Sequence, residues 1–307
     1  MDEQYIPTVR LLLLAAPEVF ANQIFAMKGG TAINLFIRDM PRLSVDIDVA
    51  YTLHQTPREE ALGAIADEMR AIASRLRRLR LAIREVASRE LDETKLIVEG
   101  NRSQVKIEVN AVFRGTVLAP TRRALHPATA ERFSSGVELP TLAVEELYGS
   151  KLVAALDRQH PRDIFDVWQM QLAGGMSEAM LECFVAYLAG HNRPMHEVLF
   201  GRDKDFSREF KERFTGMTRD PIELHMLVDA RSAMRRELSR RLTDSQKRFL
   251  VSLARAWPDW GCCNVLTFQN CPHCGGDSQI SSSSGSGGFE TLKLTVRHWR
   301  KDLLGHR

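Results

Sequence analysis

Apolar and polar residues alternate along this chain with two periods, and the change between them organises it. Residues before Phe25 carry the apolar run Leu11, Leu12, Leu13 and Leu14 and read as a helix turned toward a core. Residues 25–27 resemble a short strand. Gly29 and Gly30 interrupt it with a turn, and residues 31–38 return to helical spacing, with Ala32, Leu35 and Phe36 on one side. Pro41 breaks the chain, and residues 43–51 alternate as a strand. Residues 57–80, rich in Glu, Ala, Arg and Leu, have the period of a helix packed on a surface. Residues 94–99 and 104–113 predict two further strands, with the turn signal Gly100-Asn101 between them. From residue 142 to about residue 255 the spacing is almost purely helical. Strands mixed with helices, followed by helices alone, predict an α+β domain and then an all-α domain, with 127–140 as the linker. No internal repeat is present.

Composition narrows the class. An apolar content of 44% and a charged content of 26% are those of a globular protein with a real core. No run of about eighteen apolar residues occurs, so no membrane span is expected. The chain opens on Asp2 and Glu3 rather than on a basic stretch before an apolar one, so a secretory signal is not expected and the cytoplasm is the predicted location. Of five cysteines only Cys183 lies outside the tail, which leaves no disulfide framework for the main fold. A formal net charge of +3 does not announce a nucleic-acid partner, although Arg75, Arg77, Arg78 and Arg80 line up as a basic stripe.

The chemistry concentrates in "MKGGTAINLFIRDMPRLSVDIDVAY", residues 27–51. In a strand, Asp46 and Asp48 point the same way, with Val45, Ile47 and Val49 on the other face. Paired carboxylates repel unless a cation lies between them, and oxygen ligands suit Mg²⁺ or Mn²⁺. Two solvated aspartates on an exposed edge would give the same spacing. Just upstream, Gly29 and Gly30 permit close backbone approach, and Thr31 opens a helix whose first N–H groups favour an anion. An anion-binding turn beside a carboxylate pair describes a metal–nucleoside triphosphate site. In "QVKIEVNAV", Lys106, Glu108 and Asn110 share a strand face, and Glu108 is a third candidate ligand or simply a charge on a wet sheet face. In "EELYGSKLVAALDRQHPRDIFDVW", Lys151 and Arg158 fall near one helix face, His160-Pro161 ends that helix, and Asp163 and Asp166 follow. These residues read either as a salt-bridged surface or as phosphate-holding cations oriented by Asp163 or Asp166.

The segments "GGTAINLF", "RLSVDIDVAY", "VKIEVNAVFRGTV", "ELYGSKLVAALDRQHPRDIFDV" and "HNRPMHEVLF" resemble, in order, the AbiEii/AbiGii-type nucleotidyltransferase toxins, which include the MenT toxins and belong to the DNA polymerase β-like superfamily. The resemblance runs from residue 1 to about 260. It implies a polymerase β-like nucleotidyltransferase core at 1–135, a helical domain at 136–260 and an atypical tail at 261–307. It maps the first family motif to Gly29, Gly30 and Thr31, the second to Asp46 and Asp48, the family lysine to Lys151 and the later aspartate to Asp163, with Asp166 as the other reading. Glu108 is similar to the superfamily's third carboxylate. The family implies a cytoplasmic bacterial toxin with a cognate antitoxin. It is expected to use an NTP with Mg²⁺ or Mn²⁺ and transfer a nucleotide to an acceptor, in some relatives the 3′ end of tRNA. An inactive binding homologue and a small-molecule nucleotidyltransferase are the alternatives.

After Trp260 the resemblance stops. Cys262, Cys263, Cys271, His273 and Cys274 offer a zinc reading, Cys-Pro-His-Cys a redox reading, and a frameshift near Gly261 a third, since permitted codons read one base over yield a family-like ending. The segment 281–288, "SSSSGSGG", is low in complexity and is expected to be poorly packed and dispensable for transfer.

Overall fold

A computed structural model of the chain describes residues 5–87, 94–100, 102–110, 113–255, 257 and 259. The chain runs through α1 (Ile6–Val19), β1 (Phe25–Lys28) and α2 (Gly29–Thr31), which continues in wide π-type turns over Ala32–Ile37. Then come β2 (Ile47–Tyr51), α3 (Arg58–Arg78), β3 (Ala82–Ala87), β4 (Thr94–Gly100), β5 (Ser103–Asn110), β6 (Thr121–Ala124), α4 (Pro127–Phe133) and β7 (Glu138–Thr141). The helices α5 (Val144–Arg158), α6 (Pro161–Leu172), α7 (Glu178–Ala189), α8 (Met195–Phe200), α9 (Ser207–Arg213), α10 (Leu224–Arg241) and α11 (Asp244–Ala254) complete it.

Two compact units result. The first holds the residues up to Leu147 together with Arg208–Glu223; the second holds Tyr148–Ser207 and the described residues from Leu224 on. The first unit is built on a seven-stranded mixed sheet in the order β3-β4-β5-β2-β1-β7-β6. Alternation decides its faces. Ile47 and Val49 of β2 and Val105, Ile107 and Val109 of β5 are buried on one side. On this unit α1 packs against α3, β5 and β7, and α3 packs against β3 and β4. The intervening Asp48, Lys106 and Glu108 are left on the opposite face. In the second unit α10 packs on α6, and α11 and α8 pack on α7.

Several expectations are corrected. The segment 127–140 is not a linker. It forms α4, whose Pro127 stands in the first turn where no N–H is needed, and β7, which pairs parallel to β1 through Met27 and Thr141. Four residues are too few for alternation to show against two prolines. The strand expected over 43–51 is confined to Ile47–Tyr51. The residues before it are drawn to a distant segment: Leu43 N–H donates to Met217 O at 2.8 Å, Arg219 N–H to Pro41 O at 2.9 Å, and Arg42 bridges Thr218. The same bonds tie Arg208–Glu223 to the first unit, whose border with the second lies after Leu147, inside α5. The helical segment begins at Gly29 rather than Thr31. Among the described residues no helix is long and apolar enough to cross a membrane. Asn101, the end of the strand expected at 104–113 and every tail expectation, including zinc, redox, frameshift and the packing of 281–288, concern residues outside those described.

Gly149 lets α5 approach α7. A Cβ there would lie 2.5 Å from Cys183 Cβ and 2.8 Å from the Phe184 nitrogen, whereas one on Gly63 in α3 meets nothing within 4 Å. Gly149→Ala is expected to cost about 1–3 kcal/mol through overpacking, and Gly63→Ala to gain about 0.5–1 kcal/mol. Urea unfolding of the two variants, compared with wild type, measures both.

Candidate active site

On the open face of the sheet a row of charges crosses four strands. Lys28 of β1 stands opposite Asp48 of β2, Asp48 opposite Glu108 of β5, and Glu108 opposite Lys95 of β4. Cross-strand partners share a face, so two carboxylates meet side by side between flanking lysines. Like charges directly opposite each other are destabilising unless compensated. Glu108 is compensated on both oxygens, by Lys95 at 2.5 Å and by Lys106, two positions along its own strand, at 2.8 Å. Burial opposes the charge of Glu108, yet the hydrogen bonds and fields of Lys106 and Lys95 hold its pKa below the ordinary value. Burial likewise opposes the charge of Lys106. Its bond to Glu108 and the fields of Asp46, Glu108 and Asp48 outweigh that and raise its pKa.

The turn before this region is closed by side chains. Gly29 has φ +76°, and a Cβ there would fall 2.1 Å from Asp48 Oδ2. A Cβ on Gly30 would fall 2.6 Å from Arg42 Nη2 and 2.9 Å from Ser44 Oγ. The glycines thus admit the protein's own carboxylate and guanidinium, where the sequence led us to expect ligand approach. Thr31 is fully buried; its hydroxyl donates to the Asp46 carbonyl and lies 3.0 Å from Ser44 Oγ. Asn34 Nδ2 donates to Gly30 O at 2.8 Å, and Arg42, itself buried, donates to Leu43 O at 2.8 Å. Thr31 fixes where Asp46 sits.

Asp46 and Asp48 carry the donor chemistry that Mg²⁺ takes from proteins, one or two carboxylates completed by water and phosphate oxygens. The three-carboxylate cage with Glu108 is not assembled. Among the described residues no three His, Cys, Asp or Glu side chains are grouped to hold an ion, and both Glu108 oxygens face lysines.

The second cluster lies wholly within the second unit. Lys151 Nζ contacts Asp163 Oδ1 at 3.0 Å and Asp166 Oδ2 at 3.2 Å, and all three are buried. Arg158 Nη2 reaches Asp163 at 2.9 Å while 60% of its side chain stays exposed. The α5–α6 corner makes this possible. Gln159 adopts φ +50°, and His160 caps α6 by accepting from Arg162 N–H, which sets Asp163 in the first turn. Lys151 is enclosed by two carboxylates, and Arg158 is the cation of the cluster that meets solvent.

Lys28, Arg42, Lys95 and Glu146 were not singled out as site residues from the sequence. Lys28 and Lys95 gain meaning only from strand register. Glu146, fully buried, accepts from the Val117 and Leu118 N–H groups at 2.9 Å each and so anchors the loop after β5. A cavity of about 910 Å³ lies at the opposite end of β1 and β2, lined by residues such as Gln23, Thr52, His54 and Arg122, and contains none of the expected site residues.

A family model described as "Nucleotidyl transferase AbiEii toxin, Type IV TA system" matches residues 11–260. Among solved structures, MenT4, a nucleotidyltransferase toxin from Mycobacterium tuberculosis H37Rv, shares the fold with a TM-score of 0.58 at 16% identity, over 80% of this chain and 86% of that one. No curated protein matches the sequence.

Two outcomes are expected. Lys151→Ala leaves two enclosed carboxylates without their cation and should cost about 3–5 kcal/mol in urea unfolding; adding Asp166→Asn should return part of that loss. Because the pKa of folded Glu108 lies below the ordinary 4.5, its contribution is full above that value and fades as pH falls through the lower folded value. The stability gap between wild type and Glu108→Gln should therefore be constant from pH 5 to 8 and close progressively in acid, as read by thermal melts across that series.

Proposed function

The chain belongs to the AbiEii family of nucleotidyl transferase toxins of type IV toxin–antitoxin systems, and from that premise we propose that it moves a nucleotide from an NTP to an RNA acceptor such as the 3′ end of tRNA. The observation that supports this reading is the Asp46–Asp48 pair, held against a glycine turn by Thr31 and Gly29. In the reaction, the acceptor hydroxyl attacks the α-phosphorus, a new P–O bond forms, and the bond to the departing pyrophosphate breaks.

Asp46 and Asp48 would hold Mg²⁺ or Mn²⁺. When bound, the ion offsets the charge that develops on the phosphate oxygens. The chain's own residues supply the rest. The triphosphate would lie along the Gly29–Thr31 turn, beside the Asp48 carboxylate that takes the space over Gly29. Thr31 keeps Asp46 in place, and Gly29 leaves room for the Asp48 carboxylate. Lys106 and Lys95 hold Glu108 ionised and occupied, so that it lends negative field without competing for position. In the second unit, Arg158 is the exposed cation suited to a phosphate, and Lys151 and Asp163 serve the reaction by holding it. The cognate antitoxin is the proposed protein partner, and the cytoplasm the proposed location.

The decisive assay incubates the protein with each radiolabelled NTP, Mg²⁺ and total cell RNA. Label is expected in RNA with one preferred NTP, and Asp48→Ala should lower it by several orders of magnitude with an unchanged far-UV spectrum. Label confined to a small-molecule fraction would replace RNA as the acceptor. Undiminished labelling by folded Asp48→Ala would remove the metal pair from the mechanism.

A further inference from the structure

On α10, Arg231 and Arg235 are one helical turn apart and lie beneath the exposed residues 202–205. Arg231 is only 6% exposed. Its Nη1 donates to Gln159 Oε1 at 2.9 Å and to Lys204 O at 2.7 Å, and its guanidinium stacks over Phe206 at 5.0 Å. Gln159 fastens the same loop: it donates to Arg202 O and accepts from Lys204 N–H, each at 2.9 Å. Arg235 Nη1 donates to Leu199 O at 3.2 Å.

The donor inventory does not balance. Arg231 Nε, Arg235 Nε and Arg235 Nη2 are buried and find no hydrogen-bond acceptor among the described residues. Among the described residues, the carboxylate within ion-pair range of both guanidiniums is Asp203, with Asp205 in the field of Arg231. Asp203 stands 3.4 Å from Arg231 Nη2 and 3.4 Å from Arg235 Nε, close enough to neutralise but without hydrogen-bond geometry, and 53% of its side chain is exposed. Burial, with the like charge of Arg231, lowers the pKa of Arg235 despite Asp203. Buried guanidinium donors are ordinarily satisfied, and two facing forks match the oxygens of a phosphate far better than one distant carboxylate.

We propose that Arg231 and Arg235, with the loop over them, form a phosphate-binding subsite for the sugar–phosphate backbone of the RNA acceptor, in which Asp203 holds the place of a phosphate until RNA arrives. This rests on the RNA-acceptor reading above. The exposed Arg202 and Lys204 on the same loop favour a polyanion that continues past one phosphate over a single free ion. Asp203 leaves readily, since its two contacts are long and half its side chain already faces water. Gln159 joins the subsite to Arg158, its neighbour in sequence at the α5–α6 corner.

Equilibrium binding of a fluorescein-labelled oligouridylate of about twelve nucleotides to the full chain, without NTP or metal, tests this across a salt series. Asp203→Asn should tighten binding several-fold. Arg235→Gln should weaken it about tenfold and reduce the slope of log K against log salt by about one, as loss of one phosphate contact does. Combining the two should erase the gain, and Arg235→Lys, which keeps the charge, should retain the slope. Inorganic phosphate should compete with the oligonucleotide on wild type and not on Arg235→Gln. Equal affinities and slopes in all variants would overturn the proposal, as would tighter phosphate binding by Asp203→Asn with no change toward RNA. Because the readout needs no turnover, a failed transfer assay leaves it intact, and unchanged binding beside intact transfer overturns the subsite alone.

Discussion

Asp48 and Glu108 face each other across the parallel pair β2–β5, and the open side of the sheet is arranged around their repulsion. Two carboxylates at strand spacing would weaken the centre of the sheet if left alone. Lys95 and Lys106 close on Glu108, Lys28 stands opposite Asp48, and Gly29 gives up its side chain so that the Asp48 carboxylate can settle over the turn. Neutralisation is uneven by construction. Glu108 has a lysine on each oxygen, and Asp46 and Asp48 join it in holding Lys106 charged. A compensation for strand pairing thus fixes which cations stand beside each carboxylate.

A second layer of polar contacts converts this local balance into a rigid frame. Thr31, Asn34 and Arg42 are all buried, and each binds backbone: Thr31 the Asp46 carbonyl, Asn34 the Gly30 carbonyl, Arg42 the Leu43 carbonyl. Buried polar groups that are fully engaged specify geometry more sharply than apolar packing does. The segment around Met217 adds its own hydrogen bonds to residues 41–43, so the approach to β2 is held from a part of the chain far downstream.

The second unit solves a related problem in the opposite way. Lys151, Asp163 and Asp166 are withdrawn from water together, and Arg158 brings the cluster to neutrality while reaching out into solvent. Removing charges from water is expensive unless each is paired, and here each is. The next residue, Gln159, turns through a left-handed conformation and passes to a region where the pairing is incomplete, with two guanidiniums sharing one distant carboxylate. The contrast within a few residues separates a cluster whose charges are mutually satisfied from one with donors to spare.

Helices α1, α3, α5 and α6 and the existence of strands at β1, β2, β4 and β5 were legible in the sequence, because amphipathic periods of 3.6 and 2 report which side of an element is buried whatever it is buried against. Motif order carried the family, which the match over residues 11–260 establishes. Tertiary structure alone decided the rest. A four-residue strand such as β7 is too short to show a period, and only its pairing with β1 makes it part of the sheet. The chain from Leu43 to Asp46 alternates like a strand, but Leu43 bonds to Met217, some 170 positions away, and Ser44 and Asp46 bond to Thr31. The partners of Glu108 and Lys151 depend on strand register and on a helix corner, neither of which leaves a local signature. Residue type states what charge a side chain carries. Which opposite charge it meets, and whether water remains between them, is set by distances between segments that the sequence does not order.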